Sequence, residues 1–114
     1  MKDALRQVML AADGAGELAT VPVATGSAEH PVCGDLLELD FELQDGFVRD
    51  LAWRAEGCPA TVAVAAAARD ALRGEKFERA EEVMRRRLAE LGGLDDGETH
   101  ALALFLRALR QAAT

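Results

Sequence analysis

The sequence predicts an α+β fold: a small antiparallel sheet built on a central hairpin, with helices packed on one face. Two observations predict it. In the first, Leu37, Leu39, Phe41 and Leu43 alternate with Glu38, Asp40 and Glu42, and a second run carries Phe47, Leu51, Trp53 and Ala55 on one parity. In the second, segments of helical period stand on both sides of this pair, one before it and three after. Residues 1–114 are expected to form a single domain.

The elements follow in order. Residues 2–12 place Leu5, Val8, Met9 and Ala12 on one helical face, and Asp13-Gly14-Ala15-Gly16 stops the helix. Residues 18–23 read as a short edge strand, where Pro22 is tolerated, and residues 25–29 as loop. The hairpin has two candidate registers. A two-residue turn at Asp45-Gly46 sets Leu43 across from Val48 and sends the two apolar sets to opposite faces. A three-residue loop over 44–46, with Gly46 left-handed, sets Leu39 opposite Leu51 and Leu37 opposite Trp53. The second buries both sets on one face and is preferred. It also sets Cys33 across from Gly57, one residue from Cys58.

Gly57-Cys58-Pro59 ends the second strand and opens a helix over 59–73, with Pro59 suited to the first helical position and Gly74 closing it. Ala60, Ala63 and Ala65 to Ala68 make this helix thin enough to lie close against a sheet. A third helix over 78–91 turns Ala80, Val83, Met84, Leu88 and Leu91 inward, and Gly92-Gly93 ends it. Glu81 and Glu82 stand four residues before Arg85 and Arg86, so the Arg85-Arg86-Arg87 run reads as a salt-bridged solvent face. Asp95 and Glu98 have capping-box spacing and open a last helix that reaches about residue 112.

Composition narrows the function classes. Thirteen Lys and Arg against twenty Asp and Glu give a net charge of −7, which argues against a phosphate-binding, sequence-independent nucleic-acid protein. No apolar run has the length of a membrane span, and the first residues lack a secretory hydrophobic region. With only two cysteines in a chain of this length, a reducing, cytoplasmic setting is expected.

Four metal-ligating residues converge at the open end of the hairpin. Cys33 and Asp35 stand where the first strand begins. Cys58 is at the N-cap of the alanine-rich helix, where the dipole and free N–H groups stabilise negative charge. His100 lies in the early turns of the last helix, where the dipole favours the neutral, ligating imidazole. Two thiolates, a carboxylate and an imidazole suit either a tetrahedral zinc site or an edge-held iron–sulfur cluster. Taken singly, each residue has a plainer role. A buried cysteine is usually a small hydrophobe, Asp35 after a glycine caps a loop, His100 is a solvated helix-start residue, and His30 before Pro31 reads as loop surface.

Cys33-Gly34-Asp35, the hairpin, Gly57-Cys58 before a small-residue helix, and His100 near the start of a last helix resemble the U-type iron–sulfur cluster assembly scaffolds. That family includes IscU and the N-terminal domain of NifU. The resemblance spans roughly residues 31–114 and is weaker before them. It implies an α+β scaffold, not an enzyme, that binds iron or a labile [2Fe-2S] cluster, built from iron and desulfurase-delivered sulfur, for transfer to acceptor proteins. It also implies that Cys33, Asp35, Cys58 and His100 are the cluster and metal ligands, and that zinc often occupies the same site in place of the cluster. Cysteine desulfurase and iron–sulfur acceptor proteins are the implied partners, with no nucleic acid and no membrane.

Two departures stand out. Ala101 occupies the position of the family's third cysteine, so a soft ligand and the expected sulfur-accepting thiol are missing. Residues 92–99 lack the Leu-Pro-Pro-Val-Lys segment gripped by the family's dedicated Hsp70-type chaperone, and that partner is not carried over. The insertion of the zinc-dependent sulfur-transfer branch is also absent between Gly74 and Gly97. The alternative is a divergent zinc-binding paralogue without scaffold activity, acting as an interaction or sulfur-relay module. An enzyme with Cys58 as nucleophile and His100 as base ranks lower, because the sequence offers no oxyanion hole or substrate pocket.

Overall fold

The computed structural model describes residues 1–32 and 34–114. Its elements are α1 (Asp3–Ala11), β1 (Ala24–Glu29), β2 (Leu36–Gln44), β3 (Phe47–Glu56), α2 (Pro59–Leu72), α3 (Ala80–Glu90) and α4 (Thr99–Ala112). Short 3₁₀ turns at Phe77–Arg79 and Asp96–Glu98 lead into α3 and α4. The three strands form an antiparallel sheet in the order β1-β2-β3, with α2 packed on β3 and α4 on β1 and β2. α1 and α3 lie against α2.

Alternation does the sorting that the sequence predicts. Leu37, Leu39, Phe41, Leu51 and Trp53 are buried on the helix-covered face. Each such side chain contributes about 1.5–3 kcal/mol by leaving water. The opposite face carries Glu38, Asp40 and Arg54, and the guanidinium bonds both carboxylates at 3.3 and 3.0 Å.

The hairpin reaches this arrangement by a route the sequence reading did not choose. Its turn is the two-residue Asp45-Gly46, with both residues at positive φ (54° and 82°), the twist that suits right-handed strands. Leu43 therefore faces Val48. A β-bulge at Arg49 then adds one residue to β3 and restores the parity. Phe41 pairs with Leu51, Leu39 with Trp53 and Leu37 with Ala55, two residues away from the expected register. The bulge also exchanges two side chains: Val48 is buried, and Phe47 is 42% exposed.

The edge strand is also displaced from its expected position. Residues 18–23 are not a strand, and β1 falls on the segment read as loop. Its Ala, Gly and Ser residues carry little strand propensity, and the small size of the inward-facing Gly26 and Ala28 is what α4 requires. A Cβ on Gly26 would collide with the Ala108 carbonyl oxygen. The outer edge of β3 is covered by two pieces of chain. Gly16 N–H donates to the Trp53 carbonyl and Trp53 N–H to the Gly14 carbonyl, both at 2.9 Å, while Val48 N–H donates to Glu75. Covering an edge in this way removes a template for strand addition.

Arg69 of α2 ties the layers together. Its Nε donates to Asp50 Oδ1 on β3 and its Nη1 to Asp13 Oδ1 after α1, both at 2.8 Å. The Arg69 hydrogen bond holds the Asp50 carboxyl below its ordinary pKa of 3.8, against the opposing effect of partial burial. A depressed carboxyl pKa stabilises the fold above the unfolded value and ceases to do so as pH falls through the folded one. Asp50→Asn is therefore expected to be less stable than the parent at neutral pH, with the gap closing below 3.8. Urea unfolding of both proteins at neutral and acid pH measures it.

Candidate metal centre

Asp35 enters the site one residue before β2, and the register that pairs Leu36 with Glu56 brings it against Gly57. Gly57 has φ +123°, and a Cβ there would collide with Asp35 Oδ1. Only glycine accommodates both the backbone conformation and the carboxylate.

Cys58 is the N-cap of α2, but its side chain caps nothing. Asp35 supplies the cap from outside: Cys58 N–H donates to Oδ1 at 3.1 Å, and the Thr61 hydroxyl donates to Oδ2 at 2.9 Å. A carboxylate satisfies two donors at once, at the end of the helix where the dipole favours an anion. His100 lies in the first turn of α4, behind the 3₁₀ turn in which Asp95 N–H donates to Glu98 Oε1 at 2.9 Å. The spacing of Asp95 and Glu98 thus marks the entry to this helix as the sequence predicts. His100 Nε2 stands 3.0 Å from Cys58 Sγ and 3.4 Å from Asp35 Oδ2.

Asp35 is 2% exposed. Burial alone would push its carboxyl up, but hydrogen bonds from Cys58 and Thr61, with the His100 imidazole nearby, outweigh it and hold the group below its ordinary range. The carboxylate form is the one that ligates a cation.

The structure brings Asp35, Cys58 and His100 together, their ligand atoms all within 4.8 Å of one another. Cys33, the fourth residue singled out in the sequence, lies outside the described residues, as does its expected position across from Gly57. Ala101 is completely buried in α4, so the position of the resembled third cysteine contributes packing.

Two neighbours were not recognised as part of the site. His30, read as loop surface, packs edge-on against His100 with ring centroids 5.8 Å apart. Thr61 had a signal in the sequence, one hydroxyl in a run of small apolar residues. Cys58 and His100 also border a groove of about 460 Å³ lined by Met1, Met9 and Pro59. A larger groove of about 700 Å³, around Asp45, Phe47 and Arg73, lies at the other end of the hairpin.

The donor set fits a transition metal. In a tetrahedral shell with metal–sulfur and metal–nitrogen bonds of about 2.3 and 2.0 Å, ligand atoms stand about 3.5 Å apart. The separations of 3.0 and 3.4 Å from His100 Nε2 need only slight opening, and all three ligand atoms lie within 4.8 Å of one another.

The family model for the NifU-like N-terminal domain matches residues 8–114. The chain belongs to this family. The NifU-like chain is 34% identical over 88 residues to the iron–sulfur cluster assembly scaffold protein IscU 1 of Archaeoglobus fulgidus, a match covering 76% of this chain and 58% of that protein. It therefore spans a little over half the length of that relative. It is 28% identical over 91 residues to IscU of Azotobacter vinelandii, covering 79% of this chain and 71% of that one.

Solved structures agree on the fold. A putative scaffold protein for the SUF system from Fervidobacterium islandicum matches with a TM-score of 0.74 at 12% identity, covering 99% of this chain and 93% of that one. The N-terminal part of a NifU-like protein from Brucella abortus matches at 0.63 and 21% identity, covering 95% and 76%. Among the described residues no helix is long and apolar enough to cross a membrane.

Gly57→Ala tests how the NifU-like site is built. The substitution forces a strained φ and displaces the Asp35 carboxylate, at a cost of roughly 1–3 kcal/mol. The urea midpoint is expected to fall accordingly. A midpoint equal to the parent's would contradict the described packing of Asp35 on Gly57.

Proposed function

We propose that this chain is a scaffold that holds iron and sulfide as a labile [2Fe-2S] cargo and passes it to acceptor proteins. Asp35, Cys58 and His100, joined by Cys33, are the proposed donors. The observation that carries the reading is the convergence of Asp35, Cys58 and His100 in a chain of the scaffold family. A cysteine desulfurase is the proposed source of sulfur, and no covalent step is assigned to the protein.

The residues suit a cargo that must leave. Iron sulfide prefers thiolate, and an imidazole and a carboxylate are weaker partners for it. The Asp35 carboxylate already satisfies the start of α2, so its release from a metal leaves no orphaned group behind. His100 is partly exposed and borders the groove, which places one donor at the mouth of the site. When bound, the cargo supplies the iron–sulfur bonds that an acceptor takes over, while the chain contributes donors and their spacing.

Purification without oxygen, followed by supply of iron, sulfide and thiol, tests the proposal. The expected result is a visible charge-transfer absorption with near-equal iron and sulfide, lost to a chelator and absent in Cys58→Ser. Colourless protein carrying one zinc per chain, or a stable cluster in Cys58→Ser, would overturn it.

A further inference from the structure

We propose that Thr61 is a positioning residue of this site, its buried hydroxyl fixing the Asp35 carboxylate and the Cys58 sulfur in one geometry on which metal affinity depends. The inference rests on Asp35, Cys58 and His100 being the donors. Among the described residues Asp35 and Thr61 are the only buried polar side chains, and they hydrogen-bond to each other. Of the nine buried positions of α2, eight are apolar and the ninth is Thr61.

The hydroxyl satisfies a buried carboxylate. Burying it costs roughly 1–3 kcal/mol, and a hydrogen bond to a charged acceptor returns about as much. Valine has the same shape but leaves Asp35 Oδ2 without this donor. What the hydroxyl adds is direction. Oδ1 is held by Cys58 N–H, and that single bond leaves the carboxylate able to rotate about it. The Thr61 bond to Oδ2, from the same helix, fixes the plane of the group and leaves Oδ2 3.4 Å from His100 Nε2. Each carboxylate oxygen keeps a further lone pair for a metal. Thr61 Oγ1 also lies 3.6 Å from Cys58 Sγ, so one hydroxyl touches two donors. Groups in this position orient ligands, and their loss typically lowers metal affinity about 10- to 100-fold.

Cobalt(II) is the probe, since its visible bands report occupancy and its near-ultraviolet charge-transfer band reports a thiolate ligand. Titration of metal-free Thr61→Val is expected to show affinity about tenfold or more below the parent's. Thr61→Ser is expected to restore it. If the valine variant does not fold, Thr61→Ser and Thr61→Ala carry the same comparison, because both lose the methyl and only alanine loses the hydroxyl. Equal affinity with and without the hydroxyl, in a parent that binds cobalt through sulfur, would overturn the role of Thr61 alone. No cobalt uptake by the parent would overturn the donor assignment and this proposal with it.

Discussion

Everything at the functional end of this molecule depends on one carboxylate capping a helix that belongs to another element. Asp35 stands just before β2 and accepts from the backbone and the hydroxyl of α2, so sheet and helix are fastened where the candidate donors meet. The constraint is reciprocal. Gly57 has no Cβ where Asp35 needs room, and Cys58 is the N-cap residue yet leaves its own sulfur unused for capping. His100 arrives on α4, whose start is set independently by Asp95 and Glu98.

Much of the fold was legible because patterning and packing agree. The period of two in β2, the Pro59 helix start and the glycines at the helix ends each appear where the sequence implies. Two features were not legible. The inward positions of β1 are Gly26 and Ala28, small because α4 lies against them, and small residues set by clearance carry little strand signal. The hairpin register was misread by two residues because parity can be restored by a longer loop or by a bulge. The bulge at Arg49 is what the chain uses, and it buries Val48 in place of Phe47.

That register matters for the site. It sets Asp35 against Gly57, so the residue with the plainest isolated reading, a loop cap, is the one wedged between strand and helix. It does cap, and the group it caps is α2. His30 carried no signal at all: nothing in its neighbourhood predicts that it meets His100 across 70 residues of chain. A carboxylate that serves the fold and also faces the other candidate donors keeps Asp35 ordered beside Cys58 and His100 by contacts of the chain alone.

The most direct test is X-ray absorption at the iron edge on the iron-and-sulfide-loaded chain, compared with His100→Ala. The account predicts a mixed shell of sulfur with nitrogen and oxygen, and loss of the imidazole scattering in the variant. An all-sulfur shell, unchanged without His100, would contradict it.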